Sequence, residues 1–230
     1  MPSSTFQPFD RGDFVKMRSV AHGSMPPALK AKIDTLRQSL GACPEFDLRT
    51  FSTRIVRRPG MRGDAGLVFG QARPADQHWY TYVVGGDQDE VQLNIGMFET
   101  HLRVGLGFQM GRQAKPKIPA FRLFQLFLGL RPPIPFRTAL HECIEQHKFS
   151  LEVRGEPHFN LVGRAEGVIR FLETYSPPAD EEPIFVFVGA LWKPKEAATK
   201  SAEDFRAVFR TLLPFYEAII LMGGRFSYFD

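Results

Sequence analysis

Residues 78–111 constrain the fold most, because three strand-like segments follow one another there with turn residues between them. Residues 79–84 are aromatic or β-branched, types that suit a pleated and half-buried surface. Residues 91–97 alternate between apolar and polar types, as in a strand with one covered face. A third segment, 102–108, contains glycines that often mark a bulge or a close backbone approach. We therefore predict an antiparallel meander.

The periodicity of the remaining chain predicts an α+β fold. Its centre is a mainly antiparallel β-sheet, with a meander at about 51–110 and further strands at about 149–153 and 184–188. A short strand is also expected at 67–69. Helices packed on the sheet are predicted at 28–40, 118–130, 137–147, 165–175 and 201–221. The second of these has only a narrow polar stripe, so we expect it to be buried.

The chain is expected to form one α+β domain over residues 28–230, preceded by an irregular N-terminal arm over residues 1–27. The arm contains four prolines, which disfavour a regular element: Pro2, Pro8, Pro26 and Pro27. In the last helix, Ser201 and Asp204 give a capping-box-like start, and Pro214 predicts a kink. Gly223 and Gly224 are expected to end it.

The two cysteines, Cys43 and Cys143, are too few for a disulfide framework and do not form a CxxC pair. The N-terminus has no apolar core of a signal peptide, and no run reaches the roughly 18 apolar residues of a membrane span. A cytoplasmic protein with no membrane span fits these features best.

Positive charge is concentrated in two segments that lack Asp and Glu, which we call the first basic window (residues 48–63) and the second basic window (residues 100–141). They hold 12 of the 29 Lys and Arg residues, so the rest of the chain is net acidic. Segregated positive charge attracts polyanions, and Lys and Arg contacts to phosphates give non-specific nucleic-acid affinity.

The function predicted from this pattern is a nucleic-acid-associated, polyanion-binding module, in which exposed aromatic residues would stack on bases. The predicted nucleic-acid-binding residues are Arg54, Arg57, Arg58, Arg62, Trp79, Tyr80, Arg103, Arg112, Lys115 and Lys117. A plainer interpretation stays open. Buried strands and an apolar helix also lack acids, Arg stems can cover apolar surface, and Trp79 and the tyrosines near it can belong to the core.

Metal and nucleophile patterns are weak, and we predict no metal and no cofactor. In HECIEQH, residues 141–147, the two histidines are six positions apart, about 240° around a helix, whereas a zinc helix needs them four apart. Cys143 and His147 share a face but are only two ligands, so an ordinary helix is expected. Cys143 with His141 or His147 is the one thiol and imidazole proximity, and no GxSxG occurs.

The segment GLGFQMG, residues 105–111, resembles a phosphate loop only in part, because its spacing is GxGxxxG and Pro116 and Pro119 follow. Its glycines either let backbone amides approach an anion or serve a bulge or turn, and the structural role is favoured.

Two other functions remain open. An enzyme acting on a phosphorylated or nucleic-acid substrate would use a degenerate nuclease-like site, in a pocket that contains Asp87, Glu90, Glu152 or His141. In the two candidate Glu-x-Lys motifs of this site, Gln92 follows Glu90 and Arg154 follows Glu152, so neither motif has the expected lysine. A subunit or adaptor with a protein partner would instead expose part of its phenylalanine surface.

Overall fold

A computed structural model describes residues 6–17, 26–41, 51–57, 77–85, 88–110, 120–129, 135–176 and 184–226. It confirms the α+β fold, with a seven-stranded antiparallel sheet and helices packed on it. The strands are β1 (Phe51–Arg57), β2 (Gln77–Gly85), β3 (Gln88–Met97), β4 (Leu102–Met110), β5 (Ser150–Val153), β6 (Glu156–Pro157) and β7 (Ile184–Trp192). The helices are α1 (Arg11–Lys16), α2 (Pro27–Gly41), α3 (Ala120–Gly129), α4 (Phe136–His147), α5 (Ala165–Thr174), α6 (Pro194–Ala197) and α7 (Ala202–Phe226).

The strand order is β1-β2-β3-β4-β7-β5-β6. The predicted meander is confirmed as β1 to β4, and the two predicted further strands correspond to β5 and β7. β7 pairs with β4 on one side and with β5 on the other, so the chain returns to the sheet after α3, α4 and α5. The predicted strand at 67–69 lies outside the described residues.

One face of the sheet packs against the helices, as the alternation of apolar residues predicts. In β3 the fully buried residues on this face are Val91, Leu93, Ile95 and Met97, and in β4 they are Leu102, Val104, Leu106 and Phe108. α3 and α7 pack directly against these two strands, while α2 packs on α7 and α4 packs on both α3 and α7. Rings from several elements meet in this core, with Phe124 lying 4.8 Å from Phe108 and 5.4 Å from Phe136 between ring centroids.

The opposite face, which we call the second face, combines glycines with aromatic rings. Phe185, Phe187 and Leu191 of β7 form a small apolar cluster there, with Phe159 packed against it. Gly105 and Gly189 pair across β4 and β7, and a Cβ on Gly105 would lie 2.8 Å from the Gly189 Cα. That Cβ would also lie 3.0 Å from the Phe187 Cζ, so the ring lies directly over the glycine pair. Larger residues would not permit this packing.

The N-terminal segment differs from the expected irregular arm, because α1 forms within it. Asp10 caps this helix by accepting from the Asp13 backbone N–H at 3.1 Å, and the Asp13 carboxylate accepts from the Asp10 N–H at 3.0 Å. This capping box satisfies backbone donors that a helix leaves open at its start. Phe9 and Phe14 are buried in the main core, and Lys32 of α2 forms ion pairs with both aspartates. The prolines flank the helix rather than interrupt it.

Two further local expectations change. Residues 105–110 continue β4 and do not form a loop, since each of them pairs with a residue of β7. α7 extends to Phe226, past the two glycines at which we expected it to end, although its predicted start is confirmed. There the Asp204 carboxylate accepts from both the Ser201 N–H and the Ser201 hydroxyl at 2.7 Å.

Replacement of Phe124 by alanine tests the packing of α3. We expect Phe124→Ala to lower the free energy of unfolding by about 3 to 5 kcal/mol, because removal of a fully buried ring leaves a cavity that collapses only partly. Leu126→Ala is the matched control, since Leu126 lies on the same helix and is 56% exposed. Chemical denaturation measures both variants. Equal losses for the two would contradict the orientation of α3.

Candidate functional site: a buried polar cluster beside Thr100

Four polar side chains meet on the second face, and we call them the second-face cluster: Asn94, His101, Arg103 and Glu152. Each is between 0% and 3% exposed. β3 contributes Asn94, β4 contributes Arg103, β5 contributes Glu152, and the connection between β3 and β4 contributes His101. Burial of charges without partners is costly, so the bonds among them decide whether the cluster is stable.

Arg103 is held at both ends of its guanidinium group. Its Nε donates to Asn94 Oδ1 at 2.9 Å, and its Nη1 donates to Glu152 Oε1. The Arg103 side chain crosses Gly96 of β3, where a Cβ would lie only 2.5 Å from the Arg103 Nε. β7 lies between the strands of Arg103 and Glu152 in the sheet, so the ion pair joins β4 to β5 across an intervening strand.

Aromatic rings surround the Arg103 guanidinium. Its Cζ lies 4.3 Å from the centroid of Phe185, 5.1 Å from that of Phe98 and 5.6 Å from that of Phe187. Cations at such distances are attracted by the negative faces of aromatic rings, more strongly when water is excluded. The rings therefore compensate in part for the lost hydration of the guanidinium group.

The Glu152 carboxylate stays ionised despite complete burial. Burial by itself would raise its pKa, but the positive charge of Arg103 and the hydrogen bond from His101 outweigh that effect. The pKa of Glu152 is therefore below the ordinary glutamate value. At neutral pH the group is an anion with two separate partners, one for each oxygen.

His101 connects the buried carboxylate to an exposed hydroxyl group. Its Nε2 lies 2.7 Å from Glu152 Oε2, and its Nδ1 lies 2.9 Å from the Thr100 Oγ1. Since an ionised carboxylate only accepts, Nε2 donates to Glu152, and in the neutral form of the ring Nδ1 then has the lone pair that accepts from the Thr100 hydroxyl. Phe98 stacks on the imidazole with centroids 4.4 Å apart and planes 7° apart, which fixes the ring orientation.

The predicted nucleic-acid-binding residues do not lie together in one site of the structure. Arg103 is buried in the second-face cluster, a position that does not suit a contact with an external phosphate. Arg54 and Arg57 lie in β1, and Trp79 and Tyr80 lie in β2. The other five lie outside the described residues: Arg58, Arg62, Arg112, Lys115 and Lys117.

The strand register brings some of these residues together and separates others. Arg54 pairs with Tyr80, and Tyr80 pairs with Gly96, which pairs with Arg103. The backbone register thus places Arg54 and Tyr80 in the same row as Arg103. Trp79 falls instead in the row of Met97 and Leu102, both of which belong to the helix-facing core.

The other sequence candidates do not assemble into one site. His141 lies on α4, where its Nδ1 is 3.7 Å from Glu145 Oε2, whereas Glu152 belongs to the second face. Cys143 is half-buried and unbonded to another cysteine, and burial together with the charge of Glu142 raises the pKa of its thiol. Over the described ranges, no three His, Cys, Asp or Glu residues are placed to hold a metal ion. Asp87 lies outside the described residues, and Glu90 lies in β3.

Sequence reasoning missed His101, Asn94 and Thr100. Polar residues at alternate positions of a strand ordinarily face solvent, so Asn94 and Arg103 gave no sign of burial. Glu152, which both Arg103 and His101 contact, is 49 residues from the first and 51 from the second, so no local spacing could reveal its place in the cluster.

No protein-family model matches the chain, and no curated protein matches it significantly. Among the helices that the structure describes, none combines the length and apolar character needed to cross a lipid bilayer. The cluster must therefore be interpreted from its own chemistry.

Gly107→Ala tests whether the glycines of β4 serve packing. A Cβ at Gly107 would overlap the Phe185 ring, which is buried beneath the Arg103 guanidinium. We expect a loss of about 1 to 3 kcal/mol in unfolding free energy, the usual cost of overpacking. The loss should shrink when Phe185→Leu is added. Gly129→Ala is the control, because nothing lies within 4 Å of its added Cβ. A loss of anion binding without a loss of stability would contradict the packing role.

Glu152→Gln tests the buried ion pair. Removal of one partner leaves the Arg103 charge uncompensated, so we expect a loss of about 3 to 5 kcal/mol at neutral pH. Because the folded-state pKa of Glu152 is lowered, its contribution is complete above the ordinary glutamate pKa and is lost as the pH falls through the folded-state value. The stability difference between the wild type and Glu152→Gln should therefore shrink in acid.

Denaturation curves at several pH values measure this difference. Glu166→Gln is the control, since the Glu166 side chain is 71% exposed and its ion pair with Arg137 is a surface pair. A difference between the wild type and Glu152→Gln that did not vary with pH would contradict an ionised Glu152.

Proposed function

We propose that the protein binds nucleic acid through the outer part of its sheet, where β1 and β2 lie. The observation that carries this proposal is the first basic window, which contains five arginines and no acid. β1 contributes Arg54 and Arg57 from that window and occupies one end of the strand order. Arginine contacts to phosphates supply the affinity that does not depend on base sequence.

The register supports the same location, because it pairs Arg54 with Tyr80. Tyr82 is two positions further along β2 and pairs with Ser52. Proteins that bind single strands combine backbone-tracking cations with aromatic rings on which bases stack. Such a combination of residue types fits a nucleic acid better than it fits a small anion.

The second basic window contributes less to the proposal than its composition suggests. Arg103 is paired with Glu152, and Arg137 is bonded to Glu173 and lies 3.2 Å from Glu166. These acids come from outside the window, so they neutralise charges that look unpaired in the sequence. Arg122 is exposed and donates to Gln125 at 2.9 Å. Two arginines of the second window are thus neutralised by acids outside it.

A protein partner remains a secondary proposal with weaker support. An adaptor would expose phenylalanine surface, but the phenylalanines for which the structure describes the side chain, such as Phe124, Phe149 and Phe209, are buried or half-buried. The proposed location is the cytoplasm, because the two cysteines give no disulfide framework.

Combined charge reversal tests the first basic window. In the variant Arg57→Glu, Arg58→Glu, Arg62→Glu we expect affinity for a single-stranded oligonucleotide to fall at least about tenfold in low salt. The slope of log K against log salt should become shallower by about 2, because each lost phosphate contact removes a share of counterion release. Fluorescence anisotropy at several salt concentrations measures both quantities.

Lys195→Glu is the matched control, since Lys195 is exposed on α6 and lies outside both windows. Its binding should stay near that of the wild type, and thermal unfolding should show that both variants are folded. Unchanged affinity of the triple variant in low salt would overturn the proposal for this window.

A further inference from the structure

Thr100, His101 and Glu152 form a hydroxyl, imidazole and carboxylate series in hydrogen-bond contact. The distances are 2.9 Å from Thr100 Oγ1 to His101 Nδ1 and 2.7 Å from His101 Nε2 to Glu152 Oε2. This arrangement is the structural signature of an activated nucleophile: a base contacts the hydroxyl, and a third group orients the base. We propose that Thr100 is a nucleophilic residue that accepts acyl groups from carboxylic esters.

The directions of the hydrogen bonds agree with this role. Arg103 pairs with the ionised Glu152, which accepts a hydrogen bond from His101 Nε2; in the neutral imidazole this directs the lone pair of Nδ1 to the Thr100 hydroxyl. Arg103 and Glu152 are therefore positioning residues. The Phe98 N–H donates to the His101 carbonyl oxygen at 2.9 Å, which closes the turn and holds the imidazole beside Thr100.

The solvent exposure of the three side chains also suits such a site. Thr100 is exposed, whereas His101 and Glu152 are each 0% exposed. A reagent in solution can therefore reach the hydroxyl, while the base and its carboxylate stay shielded from water.

The step balances without a cofactor. Thr100 Oγ attacks the ester carbonyl carbon, and its proton passes to His101 Nδ1. The bond from the carbonyl carbon to the leaving oxygen breaks, and the departing alcohol takes the proton from His101. The product is an acyl ester of Thr100. Glu152 stabilises the imidazolium formed in this step.

The experiment treats the full chain with p-nitrophenyl acetate and measures released nitrophenol and the acetylated peptide by mass spectrometry. We expect acetylation at Thr100, absent in Thr100→Val and retained in Thr100→Ser. Thr199→Val is the control, because the Thr199 hydroxyl is exposed and donates only to the Glu196 carbonyl at 2.8 Å. Glu152→Gln should slow acetylation by about a hundredfold, the lower end of what general acid–base catalysis contributes.

Thermal unfolding accompanies each variant, and Thr100→Val is expected to fold because it changes an exposed side chain. Acetylation that persists unchanged in Thr100→Val, or that forms only on lysines, would overturn the proposal. Absence of any acetyl-threonine in the folded wild type would overturn it as well. Equal rates for the native chain and the urea-unfolded chain would show a merely exposed hydroxyl and would also reject it.

Discussion

The ion pair between Arg103 and Glu152 is the interaction on which the second face depends. Each charge is removed from water, and their mutual attraction repays that cost only when the remaining bonding capacity is also satisfied. Asn94 and His101 supply those additional bonds, and aromatic rings surround the cation. The pair also has a topological effect, because it joins the β3–β4 hairpin to β5 across β7. An apolar replacement would pack but would not specify this register.

Glycines make that arrangement possible because they place no side chain on this face of the sheet. The Arg103 side chain crosses Gly96, and the rings of Phe185 and Phe187 lie over Gly107 and over the Gly105–Gly189 pair. In the sequence Gly105 and Gly107 suggested a bulge or a phosphate loop. In the fold all of these glycines belong to regular strands, and their missing side chains provide space for an arginine and two rings. The polar cluster and the glycines are therefore parts of one packing solution.

The sequence predicted the sheet and the main helices because their patterns are local. Alternation in β3 and the three- and four-residue spacing in α2 follow directly from the geometry of strand and helix. α1 was missed because prolines on either side obscured the capping box of Asp10 and Asp13. The second-face cluster could not be found in the same way, since its contacts join residues about fifty positions apart. A buried arginine and an exposed arginine have the same appearance in a strand pattern.

A count of charges along the sequence also misses ion pairs between distant residues. The structure reveals such pairs for part of the chain. The second basic window loses Arg103 and Arg137 to glutamates outside it, whereas the first window includes β1 at one end of the strand order. The register adds a geometric relation between the two proposals. Arg57 pairs with Gln77, two positions beyond the Trp79–Met97 pair, and Met97 directly precedes the turn that contains Thr100. The basic end of β1 and the Thr100 turn thus lie at the same end of the sheet.

That proximity does not make the two proposals depend on each other, because they use different forces. Binding of a polyanion releases counterions and weakens as salt is added. Attack of a hydroxyl on a neutral ester involves no net charge on the reagent, so ionic strength has little effect on the encounter. Salt should therefore separate the two activities in the same preparation. Arg103 alone links them, since it was predicted as a phosphate contact and instead holds the carboxylate that orients His101.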